Sequence, residues 1–318
     1  MRTQVSIPMS SWMGALPGST RLREMSIPGS HDTACVACSL IAKGVAETTA
    51  PADVAFALSL TVCQNACVSD QFDAGARMFD LRPYFEQEDA HEQVAGKIRV
   101  AHCPNGSTAA WFMAQSAFAE LLESLGRKLE QNPSEFVIVR VAIERDVPAD
   151  QAPAYVAELN STIEYWDGQG RLANHVNADT RLEDLRGKMI LIPENICGKG
   201  VLPASVANPI EDLNVPVAEF FESFPGDDVD NHDPQAIIDN WRKADAGAFC
   251  FSQTNKPSTK DLNPEVQAAG MHQALNHFLD HSPVHTGVTL IDFVNPGPGP
   301  DGALGNELVR RIVAANFN

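Results

Sequence analysis

Short apolar runs alternate with longer amphipathic segments along most of the chain. The runs are rich in Val, Ile, Leu, Phe and Ala, which is typical of parallel strands buried on both faces. They span residues 25–29, 77–82, 97–102, 136–143, 188–192, 248–253 and 286–294. Apolar positions with helical spacing fill the segments 64–74, 108–130, 150–163, 234–245, 262–281 and 303–316. This alternation predicts repeated βα units.

The number of these units predicts the architecture. Seven or eight βα units favour a closed barrel over an open sheet, so we expect an α/β fold, a distorted single (β/α)8 barrel of the TIM type. The chain has 318 residues, and neither a change of composition nor an internal repeat divides it. We therefore expect one domain spanning residues 1–318.

The alternation inside one strand predicts which of its side chains face the interior. Between residues 76 and 82, Met78, Asp80 and Arg82 share one face, whereas Arg77, Phe79 and Leu81 share the other. The two apolar residues of the second face suit packing against helices outside a barrel. The charged pair is therefore predicted to point inward near the carboxyl end of the strand, where barrel enzymes keep their catalytic groups.

Two histidines and two further acids accompany other predicted strands. The sequence SIPGSHDT places His31 and Asp32 in a tight turn after the first strand, and His102 ends the third. Histidine is suited to proton transfer near neutral pH, and a neighbouring carboxylate can orient it. Asp292 lies within an apolar run and is costly to bury unless it is paired. Together with Arg82, these residues predict acid–base chemistry on an anionic group.

Composition limits the partners of the protein. A net charge of −18 and a pI near 4.8 argue against nucleic-acid binding, which needs a basic surface, and against adsorption to an anionic bilayer by bulk charge. No run approaches the roughly 18 apolar residues of a transmembrane helix. Residues 1–20 lack the apolar stretch of a signal peptide. We expect a soluble protein, cytoplasmic as the sequence stands and secreted if a signal has been removed.

Cysteines and a histidine pair leave a metal site as an alternative. The odd number of cysteines, seven, excludes full pairing within the chain. The CxxC spacing beginning at Cys35 and the CxxxC spacing beginning at Cys63 resemble zinc half-sites, but neither has a second half with the usual spacing. His277 and His281 share a helix face without an evident third ligand. We favour buried thiols, a solvated helix end and no metal.

Taken in order, these motifs resemble those of the bacterial phosphatidylinositol-specific phospholipase C family. The first is SIPGSHDT at residues 26–33, and the second is Cys63-Gln64 followed by DAGARMFDLR at residues 73–82. Further matches are PSE at 133–135, RGK at 186–188 and DFVN at 292–295. The sequence CQN at 63–65 is also similar to trypanosomal enzymes that cleave glycosylphosphatidylinositol anchors. The family fold, a distorted (β/α)8 barrel, agrees with the fold expected above.

The resemblance implies a phosphodiester lyase. Its substrate would be phosphatidylinositol or a glycosylated inositol phospholipid, and its products would be diacylglycerol and inositol 1,2-cyclic phosphate. His31 would act as the general base on the inositol 2-hydroxyl, and Asp292 would orient its ring. We expect a monomer that acts on inositol phospholipid at a membrane or micelle surface.

The resemblance also implies roles for the remaining polar residues. Arg82 would neutralise the phosphate as negative charge develops, and Asp80 would hold Arg82 in place. His102 would act as the general acid towards the diacylglycerol oxygen, assisted by Asp32. Because Arg82 stands where calcium-dependent relatives have an acidic residue, we expect turnover without a metal or other cofactor.

Head-group recognition departs from the family pattern. Bacterial members use a lysine in the fourth strand and an arginine in the fifth, where this chain has Ala142 and Glu194. We expect Arg140, Glu144, Arg186 and Glu194 to contact the head group instead. A glycosylated or otherwise modified inositol lipid is therefore open as the substrate.

Two other functions are open at this point. A glycerophosphodiesterase-like barrel would need a Glu-x-Asp metal pair, which residues 79–82 lack. A barrel that binds inositol lipids without cleaving them would fit the altered head-group positions. The apolar residues that begin at Trp111 are compatible with a membrane-contacting rim, but we expect them to start a helix that packs on the core.

Overall fold

The structure contains a parallel sheet of six strands and an antiparallel sheet of four. The computed structural model describes residues 7–36, 40–43, 51–85, 98–102, 111–143, 150, 152–195, 221, 233–254, 264–295 and 300–318. The strands are β1 (Ile27–Ser30), β2 (Leu40–Lys43), β3 (Met78–Leu81), β4 (Pro83–Phe85), β5 (Ile98–His102), β6 (Trp111–Ala117), β7 (Val137–Ile143), β8 (Met189–Asn195), β9 (Phe251–Gln253) and β10 (Val288–Ile291).

Helices cover the outside of the parallel sheet. They are α1 (Pro51–Thr61), α2 (Val68–Ala74), α3 (Phe118–Gln131), α4 (Ala152–Gly168), α5 (Leu182–Leu185), α6 (Pro234–Asp245), α7 (Pro264–His281) and α8 (Pro300–Ala315), with 3-10 segments at Met9–Ala15 and Leu22–Glu24. Several begin with proline, whose missing N–H costs nothing at the first helical position. Within the described ranges, no helix combines the length and the apolar character needed to cross a membrane.

The parallel sheet has the strand order β8-β7-β3-β1-β10-β9. All its neighbouring strands are parallel, and each runs towards the same end of the sheet. The expectation of a distorted α/β barrel is confirmed. In the part of the chain that the structure describes, no pairing joins β8 to β9.

The second sheet corrects two expectations. Its order is β2-β6-β5-β4, and all its pairs are antiparallel. The sequence pattern predicted that the strand ending at His102 would be one of the parallel strands. The structure places it in the antiparallel sheet instead. Trp111 begins β6 and not a helix, because the apolar run 111–117 pairs with β2 and β5 before α3 starts at Phe118.

Alternate positions of the parallel strands enter different parts of the core. Phe79 and Leu81 pack with α2, α3 and α4 in an outer cluster. Met78, which lies on the opposite face of β3, joins an inner cluster with Ile27 and Leu290. A further outer cluster lies under α6, α7 and α8. The predicted division of β3 into a helix-facing and an inward-facing side is thus confirmed.

A buried ion pair holds the amino-terminal end of the barrel. Arg77 and Glu135 are both fully buried, with Nη2 of the arginine 2.8 Å from Oε2 of the glutamate. Arg77 also donates to the carbonyl oxygens of Ser10 and Phe72, each at 2.8 Å. Burial lowers the pKa of Arg77 to about 10 although Glu135 opposes this shift, so the guanidinium stays charged at neutral pH.

Replacing Glu135 by Ala leaves the buried charge of Arg77 without its counter-ion. We expect the free energy of unfolding to fall by about 3–5 kcal/mol, measured by urea denaturation. The control is Glu123→Ala, which breaks an exposed pair with Arg127 on α3 and should cost less than about 1 kcal/mol. Equal losses in the two variants would contradict the structural role of the buried pair.

Candidate active site

Charged residues of the barrel interior lie at the carboxyl ends of the parallel strands. Nearer the amino-terminal ends, Met78 in β3 and Leu290 in β10 fill the interior with apolar side chains. Two residues further along these segments come Asp80 and Asp292, and the sheet register places Asp80 beside Arg140 of β7. The interior is therefore apolar at one end and charged at the other.

A close approach of three strands positions the turn after β1. A Cβ atom added at Gly29 would lie 2.7 Å from Cδ2 of Leu290 and 2.8 Å from the carbonyl oxygen of Met78, so only glycine fits between β3 and β10. Asp32 then adopts the left-handed backbone conformation, with a φ of 41°. Aspartate tolerates this conformation better than most residues. The turn places His31 between the ends of both neighbouring strands.

His31 and Asp292 form a buried hydrogen-bonded dyad. Nδ1 of the histidine lies 2.8 Å from Oδ1 of Asp292. Nε2 lies 3.0 Å from Nη2 of Arg82 and 3.3 Å from Oδ2 of Asp32. A neutral ring would accept a hydrogen bond from Arg82 at Nε2, whereas a protonated ring would donate one to Asp32. Each charge state of His31 therefore has a partner.

Arg82 is the centre of the charge network. Its Nε lies 2.8 Å from Oδ1 of Asp32, and its Nη2 lies 3.0 Å from Oδ2 of Asp80. Arg140 reaches the other oxygen of Asp80, with Nη1 at 3.4 Å from Oδ1. Although burial raises the pKa of Asp80, the guanidinium groups of Arg82 and Arg140 hold it below its usual range. Asp80 therefore stays ionised and serves as an anchor for both arginines.

The pKa of His31 follows from competing effects. Burial lowers it, but the carboxylates of Asp32 and Asp292 outweigh burial and the repulsion from Arg82. The net result raises the pKa from 6.5 to about 8. His31 thus changes charge just above neutral pH, as suits a group that accepts a proton and returns it.

Among the described residues, two groups of side chains have the composition of metal sites. The possible ligand atoms of His31, Cys63 and Asp292 lie within 4.8 Å of one another, as do those of His31, Asp32 and Asp80. Burial, followed by the nearby carboxylates, raises the pKa of Cys63 well above its ordinary value, so the thiol stays protonated. The second group already binds the Arg82 guanidinium. Neither group therefore suits a cation in this state.

The structure brings together five of the six predicted catalytic residues. These are His31, Asp32, Asp80, Arg82 and Asp292. The backbone of His102 ends β5, and because Pro83 lies opposite Val100 in the antiparallel pair, His102 runs back towards Arg82. The side chain of His102 lies outside the described residues.

The predicted head-group residues have different positions. Arg140 is fully buried behind Asp80, with its guanidinium 5.9 Å from the ring centre of Phe251. The register places Glu194 of β8 next to Ala142 of β7 near the carboxyl ends, although the Glu194 side chain lies outside the described residues. Glu144 also lies outside them.

Arg186 requires a correction. It precedes β8, at the opposite end of the sheet from His31, and donates to the carbonyl oxygens of Leu16, at 3.1 Å, Met13, at 3.3 Å, and Ser134. Residues before a parallel strand lie at its amino-terminal end, whereas the charged network lies at the carboxyl end. Arg186 therefore stabilises the base of the barrel and does not reach the site.

The sequence analysis assigned no role to Thr33. Its hydroxyl donates to the carbonyl oxygen of Ser30 at 2.9 Å and accepts the backbone N–H of Asp80 at 2.9 Å. The backbone N–H of Thr33 donates to the carbonyl oxygen of Asp80 at 3.0 Å. Thr33 thus fastens the His31 turn to β3. Its place directly after the His-Asp pair in a tight turn was the available signal.

Comparison with known proteins gives one related sequence and several related folds. No family model matches the chain. The 1-phosphatidylinositol phosphodiesterase of Listeria monocytogenes is 25% identical over 276 residues, which cover 86% of this chain and 76% of that protein.

Solved structures extend the similarity to the fold. The phosphatidylinositol-specific phospholipase C of Listeria monocytogenes superposes with a TM-score of 0.64 and 18% identity, covering 96% of this chain and 99% of that one. The corresponding Staphylococcus aureus protein, with pentafluoro-Phe incorporated, gives a TM-score of 0.68 and 15% identity over 97% of both chains. The chain resembles bacterial phosphatidylinositol-specific phospholipases C. The distorted barrel described above is the phospholipase C fold.

Asp292→Asn removes one of the two carboxylates that raise the pKa of His31. We expect this pKa to fall by at least about one unit, measured by NMR titration of the ring proton and assigned with a His31→Ala spectrum. Asp179→Asn, which removes an exposed acid paired with Arg23, should leave the titration unchanged. An unshifted His31 titration in Asp292→Asn would show that this carboxylate does not set the charge of the ring.

Proposed function

We propose that this protein is a phosphodiester lyase of inositol phospholipids. Its reaction would convert phosphatidylinositol, or a glycosylated form of it, to diacylglycerol and inositol 1,2-cyclic phosphate. The observation that carries the proposal is the buried Asp292–His31–Arg82 constellation, with Nε2 of the histidine 3.0 Å from the guanidinium. A proton acceptor and a phosphate-binding cation then meet at one point.

The first step would be an attack within the substrate. The inositol 2-hydroxyl loses its proton to Nε2 of His31, because Nδ1 is held by Asp292. The hydroxyl oxygen forms a bond to phosphorus while the bond from phosphorus to the diacylglycerol oxygen breaks. Since nucleophile and phosphorus belong to one molecule, the entropic cost of bringing them together is small. The dyad keeps the ring in the tautomer and orientation that the step requires.

Arg82 would stabilise the charge that develops on the phosphate oxygens. Preorganised cations act strongly in a site that excludes water, because they need no reorganisation during the reaction. Asp32 and Asp80 fix the guanidinium from two directions. A divalent metal would have to displace this cation. We therefore propose turnover without a metal.

His102 would complete the reaction as the general acid. The proton it donates would go to the departing diacylglycerol oxygen, and Asp32 would assist this transfer. This role is supported by the sequence motif and by the return of β5 towards the Arg82 end of β4. The base and the acid would then come from different sheets of the fold.

The other two functions are less well supported. In a glycerophosphodiesterase-like site, Asp80 would have to bind a metal, but Arg82 and Arg140 bind its carboxylate here. In a barrel that only binds lipid, nothing would require a buried histidine with a carboxylate on one ring nitrogen and a guanidinium at the other. The similarity to bacterial phospholipases C favours the lyase.

The natural head group is a separate part of the proposal. Ala142 and Glu194 are neighbours at the carboxyl ends of β7 and β8, where bacterial family members carry lysine and arginine. Replacing two cations by a methyl group and an acid creates space and removes positive charge. We propose that these positions accommodate a modified inositol, such as a glycosylated one. We also propose that the protein works as a monomer at a lipid surface.

Phosphorus NMR can test the reaction directly. Purified protein is incubated with phosphatidylinositol in mixed micelles with EDTA, and a parallel sample contains a glycosylated inositol lipid. We expect the signal of a five-membered cyclic inositol phosphate, with a rate that EDTA lowers by less than about tenfold. A larger loss would contradict metal independence, and no cyclic product from either lipid would contradict the lyase.

Histidine variants identify the base. We expect His31→Ala to lower the rate by about 10²- to 10⁴-fold, since it removes the proton acceptor. His277→Ala changes an exposed residue of α7 and should leave the rate unchanged. Circular dichroism would check that both variants are folded. An active, folded His31→Ala variant would refute the assigned role.

The pH dependence follows from the charge of His31. A general base must be neutral, so activity is lost as the pH falls below the pKa of about 8. We expect kcat/KM to rise by about tenfold per pH unit up to this value. Initial rates between pH 5.5 and pH 9 would measure the profile. A rate that stays constant between pH 6 and pH 8 would contradict this assignment.

A further inference from the structure

Gln64 connects the two chain segments that carry the dyad. Its side chain is fully buried. Nε2 donates to the carbonyl oxygens of His31, at 2.8 Å, and Ile291, at 3.0 Å. Oε1 accepts the backbone N–H of Val294 at 3.2 Å. One of these three hydrogen bonds therefore reaches the turn after β1, and the other two reach the segment that carries Asp292.

Gln64 forms its hydrogen bonds at the end of the ladder between β1 and β10. The ladder between β1 and β10 ends with Ser30 opposite Ile291, so His31 and Asp292 are the first residues beyond it. The last backbone bond runs from the His31 N–H to the Ile291 carbonyl oxygen at 3.1 Å. The side-chain amide of Gln64 donates to this carbonyl oxygen of Ile291 and to the carbonyl oxygen of His31. It thus continues the pairing of the strands by one step.

The backbone next to Gln64 supports the Asp292 side of the dyad. Phe293 has a φ of 51°, an unfavourable left-handed conformation for a bulky residue. Its N–H donates to the carbonyl oxygen of Cys63 at 2.9 Å, and the Val294 N–H donates to Gln64. The backbone N–H groups of Cys63 and Gln64 both reach the Cys35 carbonyl oxygen at 3.1 Å. This segment therefore links the strained turn to the loop after β1.

We propose that Gln64 is a positioning residue, which sets the separation of His31 from Asp292 by binding the backbone of both turns. The inference rests on the proposed function, because positioning matters for a reaction that uses this dyad. It also predicts that Gln64 influences the pKa of His31, which can be measured without substrate. Without the amide, the Asp292 turn loses a support that no ladder hydrogen bond replaces.

Gln71 offers a matched control. It is also a fully buried glutamine, and its Nε2 also donates to two carbonyl oxygens, those of Thr33 at 2.8 Å and Ala66 at 2.7 Å. Neither partner belongs to the segment after β10. The pair Gln64→Met and Gln71→Met removes an amide of the same size from each position, while methionine fills the space. The difference between the variants isolates the link to Asp292.

Kinetics and histidine titration are measured for the wild type and both variants. We expect Gln64→Met to lower kcat by about 10²-fold, the cost of a displacement near 1 Å, and to change KM by less than about threefold. The pKa of His31 should fall from about 8 towards its value in Asp292→Asn. The other charged or titratable groups around the ring are Asp32, Asp80, Arg82 and Cys63. The substitution leaves these residues unchanged, so we expect the shift to report on Asp292.

Gln71→Met should lower the stability of the protein but leave the pKa of His31 unchanged. Its kcat should stay within about twofold of the wild-type value. Equal effects of the two variants, or an unchanged titration and kcat in Gln64→Met, would overturn the proposal. If Gln64→Met does not fold, Gln64→Asn keeps the amide on a shorter side chain and is judged by the same readouts. An inactive wild type would refute the lyase, whereas the titration would still test the positioning.

Discussion

The buried charges at the carboxyl ends of the parallel strands have to be balanced inside the protein, and Arg82 contacts two of the acids concerned. The acids concerned are Asp32, Asp80 and Asp292. In the part of the interior that the structure describes, Arg82 and Arg140 supply two positive charges against these three. The uncompensated charge favours a proton on His31. The basicity of the ring is therefore a property of the whole network.

The division of the interior could be predicted from the sequence because β3 alternates so clearly. Phe79 and Leu81 are apolar and face the helices, whereas Asp80 and Arg82 are charged and face inward. A period of two leaves only two arrangements, and burying the charges under helices would be too costly. The same reasoning found Asp292, an acid in an apolar strand whose partner had to be another buried group.

The second sheet could not be predicted from the same signals. Residues 111–117 are followed without a break by the helix that starts at Phe118, and neither glycine nor proline marks the boundary. Arg186 was wrongly placed because a motif gives the order of residues but not the end of the barrel at which they lie. Gln64 begins the predicted helical segment 64–74. Helical spacing does not show which backbone groups a side-chain amide binds, so the contacts of Gln64 appear only in three dimensions.

The two sheets meet at Arg82. Parallel strand β3 ends at Leu81 and antiparallel strand β4 begins at Pro83, so this arginine is the only residue between them. His31 follows a strand of the first sheet, and His102 ends a strand of the second. The distance between the two histidines thus depends on the angle at which the sheets join as well as on the register within each sheet. A change in that angle would pivot at Arg82 and alter the spacing of the two histidines around its guanidinium.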